Sequence, residues 1–150
     1  MSVGIRVCTV IDAPQSRVWE IVEAIEHHTD WMSDAARITF VTPSTRGVGT
    51  AFDCLTRVGP LRLNDRMKVI EWEQGSSIGI EHRGIVTGAG RFTLATKRHG
   101  RTQFCWSERL RFPWWMGGLV GERLAKPTLR RIWRGNLERL KLIVEGEGKQ

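Results

Sequence analysis

The stretch Leu119–Val144, LVGERLAKPTLRRIWRGNLERLKLIV, decides how this chain is read. Ala125, Leu129, Ile132, Trp133, Leu137, Leu140 and Val144 recur at steps of three and four and share one stripe. Lys126, Arg130, Arg134, Glu138, Lys141 and Glu145 take the other side. The spacing predicts one long amphipathic helix. Such a helix, with a tryptophan on its apolar stripe, needs a broad apolar surface to lie on, and the preceding residues must supply it. Pro127 removes a backbone donor and predicts a kink near Arg123, while Gly135 leaves a bare spot near Trp133.

Working outward, Val3 to Ile11 is dominated by β-branched residues and reads as a strand. Asp12-Ala13-Pro14 then offers an N-cap and a proline near the first helical position, followed by Val18, Trp19, Ile21, Val22 and Ile25 at helical spacing. A second short helix, capped by Thr29 or Asp30, is expected in the run from His27 to Met32. From Ala36 to Phe112 the pattern is that of an antiparallel sheet. Strands are expected at Arg37 to Thr42, Thr50 to Val58, Leu61 to Trp72, Ile78 to His82, Gly90 to Lys97 and Thr102 to Phe112, divided by Gly, Pro and Ser signals. Leu61, Leu63, Asp65, Met67 and Val69 alternate with Arg62, Asn64, Arg66 and Lys68. Phe92 and Leu94, and then Phe104, Trp106, Glu108 and Leu110, alternate in the same way, and Phe52 and Cys54 are assigned inward.

The 150 residues, 41% of them hydrophobic, fit one domain over 1–150, with no repeat or linker. Three scattered cysteines, Cys8, Cys54 and Cys105, suggest neither a disulfide framework nor a zinc site, and fit a reducing cytoplasm. The N-terminal run, interrupted by Arg6 and ended by Asp12, is neither a secretion signal nor a membrane span, so a soluble cytoplasmic protein is expected. The net charge is +7. Between Leu119 and Glu145 seven basic residues face three acidic ones, concentrating the excess on the final helix. Such a face is ordinarily solvated, but it can also meet phosphates, an anionic membrane or an acidic partner. His27 and His28 are adjacent without further ligands at suitable spacing, so no metal is expected. No phosphate-cradling glycine loop or nucleophile elbow occurs, so no cofactor is expected either.

In this order, Asp12-Ala13-Pro14 with Val18-Trp19, Gly47-Val48-Gly49, Val69-Ile70-Glu71-Trp72 and Phe104-Cys105-Trp106-Ser107-Glu108 resemble the START-type helix-grip (SRPBCC) superfamily, in its polyketide cyclase/dehydrase and lipid-transport branch. The resemblance covers essentially the whole chain and none of its residues is a catalytic signature. It implies an α+β fold: a seven-stranded curved antiparallel sheet wrapped around the long C-terminal helix, with two short helices after strand one. It also implies a cavity of the kind that holds sterols, lipids or polyketides in relatives.

Three ionisable residues share the inward phase. Asp65 lies between Leu63 and Met67, His82 follows Ile78 and Ile80, and Glu108 lies between Trp106 and Leu110. Charges on an apolar wall need partners, a ligand or a proton. A hairpin around Glu73 to Ser77 would make Asp65 and His82 diagonal neighbours, with Glu108 about 10 Å away across the same face. The expected ligand-contacting set is Phe52, Leu63, Asp65, Met67, Ile80, His82, Phe92, Leu94, Phe104, Trp106, Glu108, Trp133 and Leu137. Trp114, Trp115 and Met116, in a segment ending Gly117-Gly118, form either the edge of the cavity mouth, able to dip into a membrane surface, or a plug for the core. Three functions follow. The first is a carrier for a hydrophobic, ring-containing molecule, lipid or polyketide-like. The second is an aromatase/cyclase-type enzyme using Asp65, His82 or Glu108, disfavoured by the absence of Tyr. The third is a basic module docking on RNA, ribosome or membrane.

Overall fold

The computed structural model describes residues 3–147. Seven strands form one antiparallel sheet: β1 (Val3–Ile11), β2 (Ala35–Phe40), β3 (Ala51–Val58), β4 (Leu61–Glu73), β5 (Ser77–Arg83), β6 (Thr87–Thr96) and β7 (Thr102–Arg111). Their order across the sheet is β1-β7-β6-β5-β4-β3-β2. A ten-residue connection, 41–50, joins β2 to β3, strands β3 to β7 follow one another through short turns, and β1 returns to pair with β7 at the edge. Register shifts between Val69 and Glu71 and between Ala35 and Arg37 interrupt the ladder, where bulges bend a strand. The boundaries fall within a few residues of those expected from the alternation, because one face is apolar and a one-residue slip would turn it to water.

Helix α2 (Gly118–Glu147) runs unbroken through Pro127, which is exposed, and packs on β1 and β7. Its stripe divides along its length. Trp133, Leu137, Leu140 and Val144 are buried, whereas Ala125, Leu129 and Ile132 are only partly covered. Helix α1 (Gln15–Val22) buries Val18, Trp19 and Val22. Two local expectations need correction. Pro14 occupies the N-cap position of α1 and Asp12 does not cap it; the Asp12 amide donates to Glu145 on α2 at 3.1 Å. The second helical segment is a 3-10 turn at Ile25–Asp30, so Thr29 and Asp30 close it instead of opening it. His27 is exposed beside Asp30, while His28 is buried.

The cysteine expectation is also corrected. Cys8 and Cys105 stand directly opposite on β1 and β7, their Cα atoms 4.1 Å apart, and form a disulfide across 97 residues of sequence. Their spacing carried no hint of this, since cross-strand pairing depends on β1 returning beside β7. The cysteines therefore no longer argue for a reducing compartment. Cys54 is free and buried. Among the described residues no helix is long and apolar enough to cross a membrane.

Candidate functional site

The sheet curves over α2 and the two enclose a cavity of about 330 Å³. Its wall is built by inward positions of β2 to β7, by the segment that precedes β2 and by the first half of α2. Phe52, Leu63, Asp65, Met67, Ile80, His82, Phe92, Trp106, Glu108 and Trp133 all lie on it. Leu94, Phe104 and Leu137 do not; they fill the packed core beyond its closed end, where the α2 stripe meets the sheet directly. The cavity reaches the end of the sheet where the β3–β4 and β5–β6 turns and the segment after β7 converge, at Val58, Leu61, Val86, Phe112 and Met116. Met116 lines it. Trp114 and Trp115 point away from it and are exposed, so they plug nothing.

The polar residues on this wall pair differently from the arrangement expected. His82 does not meet Asp65. Its Nε2 donates to Glu108 Oε2 at 3.0 Å, across the intervening strand β6. The β6 residues opposite them are both glycines, Gly88 paired with His82 and Gly90 with Glu108. A Cβ at Gly90 would lie 2.4 Å from Glu108 Oε1, so the missing side chain is what lets the two groups meet. Burial disfavours the His82 cation, but the charge and hydrogen bond of Glu108, with the charge of Asp65, together raise its pKa above the ordinary 6.5. Asp65 is committed elsewhere. Its Oδ1 accepts the Ile85 amide at 2.8 Å and so closes the β5–β6 hairpin, over the bare backbone of Gly84, where a Cβ would lie 1.9 Å from it.

A second polar group was missed in the sequence. Asp34, just before β2, is buried on the cavity wall and accepts from Asn136 Nδ2 at 2.8 Å and Trp133 Nε1 at 3.2 Å. Burial raises its pKa despite these two bonds. Asn136 is fully buried and is held in turn by Ser33 and Arg139. An asparagine three residues beyond Trp133, on the buried side of α2, was the signal available. The two carboxylates are joined through aromatic rings. Trp133 stacks on Trp106 with centroids 4.7 Å apart, and Trp106 Nε1 donates to Glu108 Oε1 at 3.1 Å. A belt from Asn136 through Asp34, Trp133, Trp106 and Glu108 to His82 thus crosses a largely apolar wall. His28, also on the wall, donates Nε2–H to the Val22 carbonyl at 2.7 Å, and burial lowers its pKa to about 4, leaving it neutral. Burial likewise pushes the Cys54 thiol up to about 11, so it lines the cavity as a neutral group.

A curved antiparallel sheet gripping a long helix around an apolar cavity defines the helix-grip class of fold, and the comparisons place the chain within it. The family described as polyketide cyclase/dehydrase and lipid transport matches residues 3–145, and the chain belongs to that family. Among solved structures it is similar to a protein of Thermus thermophilus, at TM-score 0.79 and 15% identity over 97% of this chain and 99% of that one. It is also similar to the Zhui aromatase/cyclase of a Streptomyces species, at TM-score 0.78 and 14% identity over 97% of this chain and 94% of that one. The di-domain ARO/CYC StfQ of the steffimycin biosynthetic pathway matches at TM-score 0.79 and 13% identity; all of this chain aligns with 53% of it. At these identities the likeness is one of fold. No curated protein matches the sequence significantly.

Proposed function

We propose that the protein binds a hydrophobic, ring-containing small molecule, lipid or polyketide-like, between sheet and helix. The observation that carries this is the cavity of about 330 Å³. Its size is in the range of ligand sites, its wall is largely aromatic and aliphatic, and a few polar groups converge on one side. The His82–Glu108 pair and the stacked Trp106 and Trp133 suit a ligand with a flat ring and a hydroxyl or carbonyl at its edge. The experiment is titration with anilinonaphthalene sulfonate and a series of hydroxylated polycyclic aromatics, beside native mass spectrometry of protein taken gently from its host. Saturable single-site binding, blocked by Ile80→Trp, is the expected result. Glu108→Gln should weaken binding of a hydroxylated ligand by about 1 to 3 kcal/mol. Absence of both saturable binding and a co-purifying small molecule overturns the proposal.

A second reading, an aromatase/cyclase-type activity, draws on one observation: His82 and Glu108 are in contact on the cavity wall, within reach of a bound polyketide chain. In that case His82→Ala should reduce turnover by about 10² to 10⁴ while affinity is largely kept. Asp65 has no part in this reading, because its carboxylate holds the β5–β6 hairpin.

A further inference from the structure

At the open end of the cavity the surface is apolar and positive at once. Trp114 is 87% exposed and Trp115 57%, on the short turn after β7. Leu119, Val120 and Leu124 follow on the first turns of α2 and are also exposed. Soluble surfaces seldom gather so much bare aromatic and aliphatic side chain in one place. The charge around it is one-sided. The segments that form this end, residues 57–62, 81–87 and 111–126, contain six basic residues and two carboxylates, Glu81, which pairs with Arg83, and Glu122. Glu122 is buried and accepts the Phe112 amide at 3.2 Å, so it presents nothing outward. The opposite end, where Gln15 at the start of α1 reaches the Gly75 carbonyl of the β4–β5 turn and accepts from the Thr96 hydroxyl, is close to neutral: residues 12–26, 41–50, 71–76 and 97–101 hold six carboxylates and five basic residues.

We propose that this end of the molecule docks on an anionic lipid surface. Trp114, Trp115, Leu119, Val120 and Leu124 enter the boundary between headgroups and acyl chains, while Arg62, Arg111, Arg123 and Lys126 meet lipid phosphates. Paired tryptophans beside short aliphatic stubs are suited to that boundary, where a ring has its body in hydrocarbon and its N–H in the wet layer. The charge asymmetry turns the molecule mouth-first toward a negative surface before contact. An acidic protein partner would use the same charges, but the tryptophans project outward from a turn and line no groove in which a partner's side chains would sit. Contact is peripheral, since α2 is not apolar enough to span. The site stands independently of what the cavity holds.

The test is co-sedimentation of the intact protein with vesicles of phosphatidylcholine alone or with a third of phosphatidylglycerol, at low and physiological salt. Binding to the anionic vesicles should exceed binding to neutral ones by about tenfold or more and weaken with salt. Trp114→Ser with Trp115→Ser, and separately Arg123→Glu with Lys126→Glu, should each reduce it about tenfold or more. None of these four residues lines the cavity, so uptake of a fluorescent apolar probe should be unchanged, which separates loss of docking from loss of fold or of the ligand site. Quenching of tryptophan emission by brominated lipid should be lost in the double tryptophan variant. Failure to bind anionic vesicles overturns the proposal, as does equal binding by both variants. Salt-sensitive binding to an acidic protein or heparin without vesicle binding assigns the surface to another partner and overturns it equally.

Discussion

At the residue scale, the contact that shapes the site is made possible by an absence. Alternation alone places Asp65, His82 and Glu108 on one face, but it does not say which of them meet. That depended on Gly90, whose lack of a side chain opens the space between β5 and β7. Gly90→Ala should therefore force Glu108 from its place and cost about 1 to 3 kcal/mol, the range for a displaced buried charged hydrogen bond. It should also lower the His82 pKa, because burial would then act without the nearby carboxylate. Following the His82 ring proton signals with pH reads this directly. An unchanged titration in the variant would show that Glu108 finds a new route to His82 and that Gly90 is not needed for the pair.

At the element scale, the periodicity of the final helix made its apolar stripe legible but not its division of labour. Leu129 and Leu137 share the stripe and look alike in sequence; one borders the cavity and the other is 1% exposed in the core. The difference comes from the curvature of the sheet, which leaves α2 near its start and closes on it further along. Leu137→Ala should therefore cost about 2 to 5 kcal/mol in denaturant unfolding, with probe affinity changed less than about threefold. Leu129→Trp should do the reverse. Its added atoms enter existing space, so stability should shift by about 1 kcal/mol or less while probe binding falls about tenfold. Equal stability losses would mean that the cavity is not available as space. Asp34 and Asn136 show where pattern reading stops. One lies in an unpatterned connection, the other on a stripe scored for hydrophobicity, and only the approach of the segment before β2 to α2 in the folded chain makes them a pair.

At the scale of the whole molecule, a seven-stranded sheet wrapped around the final helix was implied by family resemblance, whereas the return of β1 beside β7, the disulfide between Cys8 and Cys105 and the buried ionisable groups depend on the folded topology. Those groups give the molecule a pH profile of stability. His28 has a folded pKa of about 4 against an ordinary 6.5, so its contribution is present above 6.5 and lost as pH falls toward 4, amounting to about 3 kcal/mol. His82 acts with the opposite sign. Its folded pKa is raised, so its contribution is complete below 6.5 and is lost as pH rises through the folded value. Asp34, also raised, retains its proton longer in the folded state; stability therefore falls as pH rises from 3.8 through its folded pKa, partly masking the acid limb of His28. Together the two histidines should produce a maximum near pH 6.5, read from denaturant midpoints at constant ionic strength. His28→Gln, whose amide can still donate to the Val22 carbonyl, should flatten the acid side, and His82→Gln the alkaline side. Asp34→Asn should steepen the acid side by removing the opposing term. A parent profile that rises steadily from pH 6 to 9 would show that His82 is not stabilised as a cation by Glu108.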